Sequence, residues 1–147
     1  MLVLCGDAPL MDADTIINAL KMHTDEDNAI TVITARLDDP AAYGRIVKTD
    51  GKIAAIVEYK DADEQTRAIN EINSGAYWFK AEVLSEMLQN IDNNNAQNEY
   101  YLTDTIKLAI DSGLSVNSYV AERPEVVMGA NDREQLKELE AAMQSRK

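Results

Sequence analysis

Leu2-Val3-Leu4-Cys5 is an all-apolar run that ends abruptly in Gly6-Asp7-Ala8-Pro9. Such a run suits a strand buried on both faces of a mostly parallel sheet. The segment that follows carries Ile16, Ile17, Leu20 and Met22 at helical spacing, with Asp12 or Asp14 placed to cap it. Ala29-Ile30-Thr31-Val32-Ile33-Thr34 is β-branched and strand-like. Strand, helix and strand in succession point to an α/β sandwich. Gly44-Arg45-Ile46-Val47-Lys48 and Lys52-Ile53-Ala54-Ala55-Ile56-Val57-Glu58 flank Asp50-Gly51, a strong hairpin signal, so one antiparallel excursion is expected. Further on, the pattern predicts a strand over 71–80, a helix over 81–91, a polar loop at 93–98 and a helix over 99–110 ended by Gly113. An alternating strand over 114–120, a short strand at 125–128 and an amphipathic helix over 131–144 complete it. The expected class is a mixed, mostly parallel sheet with flanking helices and a β-hairpin.

The 147 residues match the size of one domain, with no linker and no internal repeat. Hydrophobic residues make up 46% and charged ones 27%, as in ordinary soluble domains. No apolar run is long enough to span a membrane, and no basic segment precedes Leu2 as in a secretory leader. The formal net charge of −12 argues against nucleic-acid binding, which needs lysines and arginines to neutralise phosphates. Cys5 is the single cysteine, which excludes an intrachain disulfide and a cysteine-based zinc cage, and the cytoplasm is the expected compartment. His23 is the single histidine, so neither a histidine triad nor a histidine zinc site is available, and the common phosphate-loop, dinucleotide and hydrolase motifs are absent. Cys5 reads as a small buried hydrophobe in the first strand.

Asp7 is the first candidate for chemistry. A carboxylate just past the end of a buried strand lies where open α/β sheets bind ligands, and Gly6 beside it clears room for close approach. Magnesium takes carboxylate, amide, water and phosphate oxygens, an inventory Asp7 fits; an Asx-turn before Pro9 is the structural alternative. Asn131, in Gly129-Ala130-Asn131-Asp132-Arg133, suits either a metal-ligating amide or a helix cap. Glu58 ends an apolar strand and either accepts hydrogen bonds from a sugar diol or is simply solvated. Asn73, inside a strand, must be satisfied by backbone or by ligand. Tyr100, Tyr101 and Thr103 stand at a helix start, as pocket lining or as core.

The segments Leu4-Cys5-Gly6-Asp7-Ala8-Pro9-Leu10, Tyr43-Gly44-Arg45-Ile46-Val47, Ile56-Val57-Glu58-Tyr59-Lys60-Asp61-Ala62, Ile69-Asn70-Glu71-Ile72-Asn73-Ser74-Gly75, Asn94-Asn95-Ala96-Gln97-Asn98-Glu99-Tyr100-Tyr101-Leu102-Thr103-Asp104 and Gly129-Ala130-Asn131-Asp132-Arg133 occur in that order. Together they resemble the uridyltransferase domain of bacterial bifunctional N-acetylglucosamine-1-phosphate uridyltransferases. The resemblance covers nearly the whole chain. It implies a partial nucleotide-diphospho-sugar transferase (Rossmann-like) fold in which residues 1–147 form one partial domain, the C-terminal two-thirds of the family's.

That family joins UTP to N-acetylglucosamine 1-phosphate, giving UDP-N-acetylglucosamine, a cell-wall (peptidoglycan) precursor, and pyrophosphate. By the resemblance, Asp7 and Asn131 match magnesium ligands. Gly44, Glu58 and Asn73 match positions holding the amino sugar, and Tyr101 and Thr103 match others lining that pocket; Gly6, beside Asp7, remains a candidate substrate contact by position alone. The family's glycine-rich nucleotide loop and its acetyltransferase β-helix have no counterpart in these residues, and Cys5 stands where the family often has tyrosine. The implied consequence is a chain that does not turn over alone, one that self-associates or needs a complementing N-terminal fragment. Two alternatives remain open: a non-catalytic UDP-sugar-binding or subunit-interaction remnant, and a sugar-nucleotide pyrophosphorylase of other specificity.

Overall fold

Asp50 and Gly51 make the expected hairpin because both adopt a left-handed backbone, φ 51° and 76°, which a two-residue loop between twisted strands demands. In chain order the elements are β1 (Leu2–Leu4), α1 (Ala13–Asp25), β2 (Ile30–Arg36), β3 (Arg45–Thr49), β4 (Lys52–Val57), α2 (Glu64–Arg67), β5 (Glu71–Phe79), α3 (Ala81–Leu88), α4 (Asp104–Asp111), β6 (Val116–Val120) and α5 (Arg133–Ser145). Short 3-10 turns occupy Tyr59–Asp61 and Pro124–Val127. The structure, a computed structural model, describes residues 1–130 and 133–145.

The six strands form one sheet in the order β4-β3-β5-β2-β6, with β1 also paired to β5. Here the expectation of a mostly parallel sheet is corrected. Among the described residues only β2 and β6 are parallel neighbours; β1–β5, β2–β5, β3–β4 and β3–β5 are all antiparallel. The strand–helix–strand unit β1–α1–β2 does run its two strands in one direction, as the alternation implied. Strand β5 is inserted between them, however, so the parallel partners never touch. The strand–helix–strand order implies a shared direction but carries no information about which later strand slides in between.

Strand β2, not β1, is the strand buried on both faces. Ile30, Val32 and Ile33 are fully buried. On one side Ile30 and Val32 join Tyr77, Phe79, Ile46, Ile56, Ile106 and Met87 in the main core. On the other, Ile33 packs with Ala19 and Ala76. Each fully buried Ile, Val, Phe or Met side chain here contributes about 1.5–3 kcal/mol. Strand β1 has β5 as its one partner among the described residues, so Leu2 and Val3 are only half-buried and Leu4 is exposed.

Helix α1 begins as expected, with the Asp12 carboxylate accepting from Thr15 N at 2.8 Å. It buries Thr15 and Ala19, and Trp78 Nε1 donates to the Ile16 carbonyl at 3.1 Å. Ile17 and Leu20, expected on the core stripe, are exposed. Small residues let α1 lie close to the sheet, which turns its bulkier positions outward. Two other expectations shift. In place of the short strand expected at 125–128 the chain makes the 3-10 turn Pro124–Val127, and α4 starts at Asp104, leaving Tyr100 and Tyr101 outside it. Among the described residues no helix is long and apolar enough to cross a membrane.

Candidate functional site

Strand β5 builds the site by having one edge shared between two partners. Strand β2 follows its other edge throughout. On the shared edge β1 pairs with Ala76, Tyr77 and Trp78, and β3 pairs with Ile72. Between them lie Asn73, Ser74 and Gly75. Cys5 N donates to Gly75 O at 3.1 Å, the last rung before β1 leaves the sheet, and Asn73 N donates to Gly44 O at 2.9 Å, where β3 enters. A crevice where one strand leaves and another begins is a favoured ligand position in open α/β sheets.

A bulge shapes this crevice. The register of β2 against β5 shifts from Ile33↔Ala76 to Thr34↔Asn73, so Ser74 and Gly75 are extra residues. Ser74 Oγ fills the gap, donating to Ile33 O at 2.6 Å and accepting from Ala76 N at 3.1 Å. Gly75 has φ +74°, and a Cβ there would stand 2.5 Å from Cys5 Sγ, so glycine is required twice over. Cys5 itself corrects the sequence reading: it lies past β1 and is exposed, not a buried hydrophobe. Partial burial, and then the carboxylates of Asp7 and Glu58, raise its thiol pKa.

The residues expected to hold the amino sugar converge here. Glu58, just past β4, is half-buried, and Thr103 Oγ1 donates to its Oε1 at 3.1 Å. Gly44 leaves this carboxylate uncovered, since a Cβ would come within 3.4 Å of Oε2. Burial raises the Glu58 pKa; Asp61 and Asp104 push the same way, while Thr103 opposes them. Asn73 is satisfied within the protein: Nδ2 donates to Tyr77 Oη at 2.7 Å and Oδ1 accepts from Gly75 N at 3.1 Å. A primary amide has two donor hydrogens and two acceptor lone pairs, so one of each remains for a ligand. Tyr101 accepts from Gln97 Nε2 at 2.8 Å and lines, with Glu58, a cavity of about 270 Å³. Tyr100 is 68% exposed, which removes it from the pocket.

Asp7 lies at the other end of the crevice, and the chain near residue 130 comes to meet it. Ala130 N donates to Asp7 O at 3.4 Å, and a Cβ on Gly129 would be 3.0 Å from that oxygen. Asn131 falls outside the described residues. The Asp7 side chain is exposed and has no hydrogen-bond or ion-pair partner among the described residues. No cluster of three or more His, Cys, Asp or Glu that could hold a metal occurs among the described residues. One free carboxylate beside an open crevice offers the hard-oxygen chemistry of a site where a divalent cation keeps waters and shares substrate phosphates rather than filling an all-protein cage. Gly6 has open space where a Cβ would be, so no protein neighbour enforces glycine there.

Several site residues escaped the sequence reading. Tyr43 Oη accepts from Gly129 N at 2.8 Å, tying the loop before β3 to the segment beside Asp7. Arg45 is 2% exposed beneath that loop. Tyr77 is buried, its phenol pKa raised by desolvation, and it orients Asn73. An arginine next to a glycine at the head of an apolar strand was the available signal; the Ser74-Gly75 bulge had none beyond the glycine itself.

Residues 1–124 match the family model described as nucleotidyl transferase. Bifunctional protein GlmU of Bacillus velezensis is 44% identical over 146 residues, covering 99% of this chain and 32% of the relative. That of Pseudomonas fluorescens is 47% identical over 147 residues, with the same coverage of 99% and 32%. The chain therefore spans about a third of the length of the curated relatives it matches. A solved structure from Bacillus anthracis, assigned as a glucose-1-phosphate thymidylyltransferase in complex with a sucrose, superposes with a TM-score of 0.66 at 18% identity. It covers 86% of this chain and 48% of that one, a likeness of fold.

Proposed function

The chain belongs to the nucleotidyl transferase family, and we propose that it carries the amino-sugar and metal side of a uridyltransferase site. The reaction is attack of the phosphate oxygen of N-acetylglucosamine 1-phosphate on the α-phosphorus of UTP. A P–O bond forms to the sugar phosphate, the bond to the β-phosphate breaks, and pyrophosphate leaves with UDP-N-acetylglucosamine as the other product. Both reactants are anions at neutral pH, so no general base is needed and catalysis rests on positioning and charge neutralisation.

Each residue has a task in this scheme. Thr103 donates to Oε1 of Glu58 and leaves Oε2 facing Gly44, free to accept from sugar hydroxyls. Asn73, fixed by Tyr77, offers its remaining amide hydrogen and lone pair to the sugar or its acetamido group. Gly44 admits the ring against the carboxylate, and Tyr101 walls the pocket. Asp7 and Asn131 would hold magnesium, which when bound offsets the charge on the reacting phosphates.

The observation that carries the proposal is the convergence of Gly44, Glu58, Asn73 and Thr103 on one crevice whose far end is Asp7. Residues 1–147 are proposed to act as one partial nucleotidyltransferase domain, and turnover to need a nucleotide-gripping loop that these residues do not supply. Titration calorimetry of UDP-N-acetylglucosamine with magnesium tests the reading. Binding by the chain, weakened about tenfold or more by Glu58→Gln, supports it, a tenfold loss being ~1.4 kcal/mol. No binding, or equal binding by Glu58→Gln, refutes it. Synthesis of UDP-N-acetylglucosamine only after an N-terminal fragment bearing the loop is added would support the need for complementation.

A further inference from the structure

The Arg45 guanidinium is buried, yet no carboxylate among the described residues hydrogen-bonds to it. It donates instead to four backbone carbonyls: from Nε to Arg67 O at 3.2 Å, from Nη1 to Pro40 O at 3.3 Å and to Tyr43 O, and from Nη2 to Ala41 O at 2.9 Å. It also stands 5.7 Å from the ring centre of Tyr59, the residue after Glu58. Three of the four carbonyls belong to the loop immediately before Gly44. That loop includes Ala41 at φ +42°, a conformation non-glycine residues adopt only when their surroundings hold them there. Arg67, whose carbonyl is the fourth acceptor, lies 4.3 Å over the same Tyr59 ring and donates from Nε to Tyr59 O at 3.2 Å.

This arrangement reaches both ends of the crevice. On one side the loop delivers Gly44 opposite Glu58. On the other it delivers Tyr43, whose hydroxyl accepts from Gly129 N, and Gly129 packs on the backbone of Asp7. A buried charged fork serving one strained loop is more than a fold needs for that loop alone. An apolar residue would fill the space without the cost of desolvating a cation.

We infer that Arg45 is a positioning residue: its guanidinium, with the Tyr43 hydroxyl as strut, fixes the distance between the sugar-facing Gly44–Glu58 pair and the Asp7–Gly129 segment. The inference deepens the proposed uridyltransferase reading and rests on it for the ligand. Lysine keeps the charge but presents a single ammonium, which cannot span four carbonyls in the fixed geometry of a guanidinium. Displacing a substrate-positioning group by about 1 Å costs on the order of a hundredfold even when the reacting groups are untouched.

The test compares wild type, Arg45→Lys, Tyr43→Phe and Glu58→Gln in the full 147-residue chain. Two readouts are used: the dissociation constant of N-acetylglucosamine 1-phosphate with magnesium, and hydrogen exchange at the Gly129 and Asn73 amides. In Arg45→Lys the folded protein should lose sugar-phosphate affinity about tenfold or more, and Gly129 amide exchange should speed up by a similar factor. Tyr43→Phe, which removes only the acceptor for Gly129 N, should raise Gly129 exchange while leaving Asn73 protected. A merely structural Arg45 would lower the melting midpoint yet leave the affinity of the folded protein within about twofold of wild type. That result, with Gly129 exchange unchanged, overturns the inference. If Arg45→Lys does not fold, unchanged Gly129 exchange in Tyr43→Phe overturns it instead. Failure of wild type to bind the sugar phosphate at all sinks the uridyltransferase reading, while the exchange data still decide the strut.

Discussion

Gly44 and Glu58 face each other so closely that a Cβ on Gly44 would stand 3.4 Å from Oε2 and 3.5 Å from Oε1. The glycine has an ordinary backbone conformation, so its smallness serves the space beside the carboxylate and not a turn. Gly44→Ala should therefore fold, with a melting midpoint within a few degrees of wild type. Affinity for N-acetylglucosamine 1-phosphate should fall about tenfold or more, or ~1.4 kcal/mol. Calorimetry showing wild-type affinity in this variant would remove Gly44 from the pocket.

The Glu58 carboxyl has its pKa raised, chiefly by burial. For a group raised in the folded state, the stability it contributes is fully present below its unfolded pKa and is lost as pH rises through the folded pKa. Sugar binding has the opposite sign, because the charged carboxylate accepts hydrogen bonds from sugar hydroxyls much more strongly than the protonated acid does. Affinity should fall as pH drops through a midpoint above the ordinary glutamate range, and Glu58→Gln should flatten that profile. A titration of affinity against pH with no such midpoint in wild type would contradict the role.

Much of the fold was legible from the sequence. Asp50-Gly51 specified its hairpin locally, Asp12 specified the start of α1, and the β-branched run at 29–34 became β2, the strand buried on both faces. The order of strands in the sheet was not legible, because inserting β5 between β1 and β2 is a long-range event that no local pattern encodes. Ile17 and Leu20 misled for a related reason: helical spacing defines an apolar stripe, but Thr15 and Ala19 set the approach of α1 to the sheet. At the site, Asp7, Glu58 and Asn73 stood out as polar residues at strand ends or inside strands. Spacing alone did not bring Asp7 to the segment at Gly129 and Ala130, since the two are far apart in the chain and joined by backbone hydrogen bonding; only the family resemblance implied it.

Gly75 holds the bulge that separates β1 from β3 on the edge of β5. Alanine there meets a left-handed φ and a 2.5 Å approach to Cys5 Sγ. Gly75→Ala should cost ~1–3 kcal/mol, read by urea denaturation. Adding Cys5→Ala should recover part of the loss, as expected for residues in direct contact. Equal stability of Gly75→Ala and wild type would mean that the bulge relaxes freely.

Asp7 makes no side-chain hydrogen bond or ion pair among the described residues, so Asp7→Ala should leave the stability of the ligand-free chain within about 0.5 kcal/mol. It should abolish the dependence of nucleotide-sugar binding on magnesium. Wild-type magnesium dependence in Asp7→Ala would move the metal elsewhere.

We propose that one crevice at the end of β1 binds the amino sugar of a nucleotide sugar together with a divalent metal. The decisive measurement is a thermal melt of the chain with and without magnesium plus UDP-N-acetylglucosamine. Ligand at about 100 times its dissociation constant should add ~2.7 kcal/mol and raise the midpoint by several degrees. Wild type should show that shift, and both Asp7→Ala and Glu58→Gln should lose it. A cooperative wild-type melt whose midpoint does not move with ligand would rule the crevice out as the binding site.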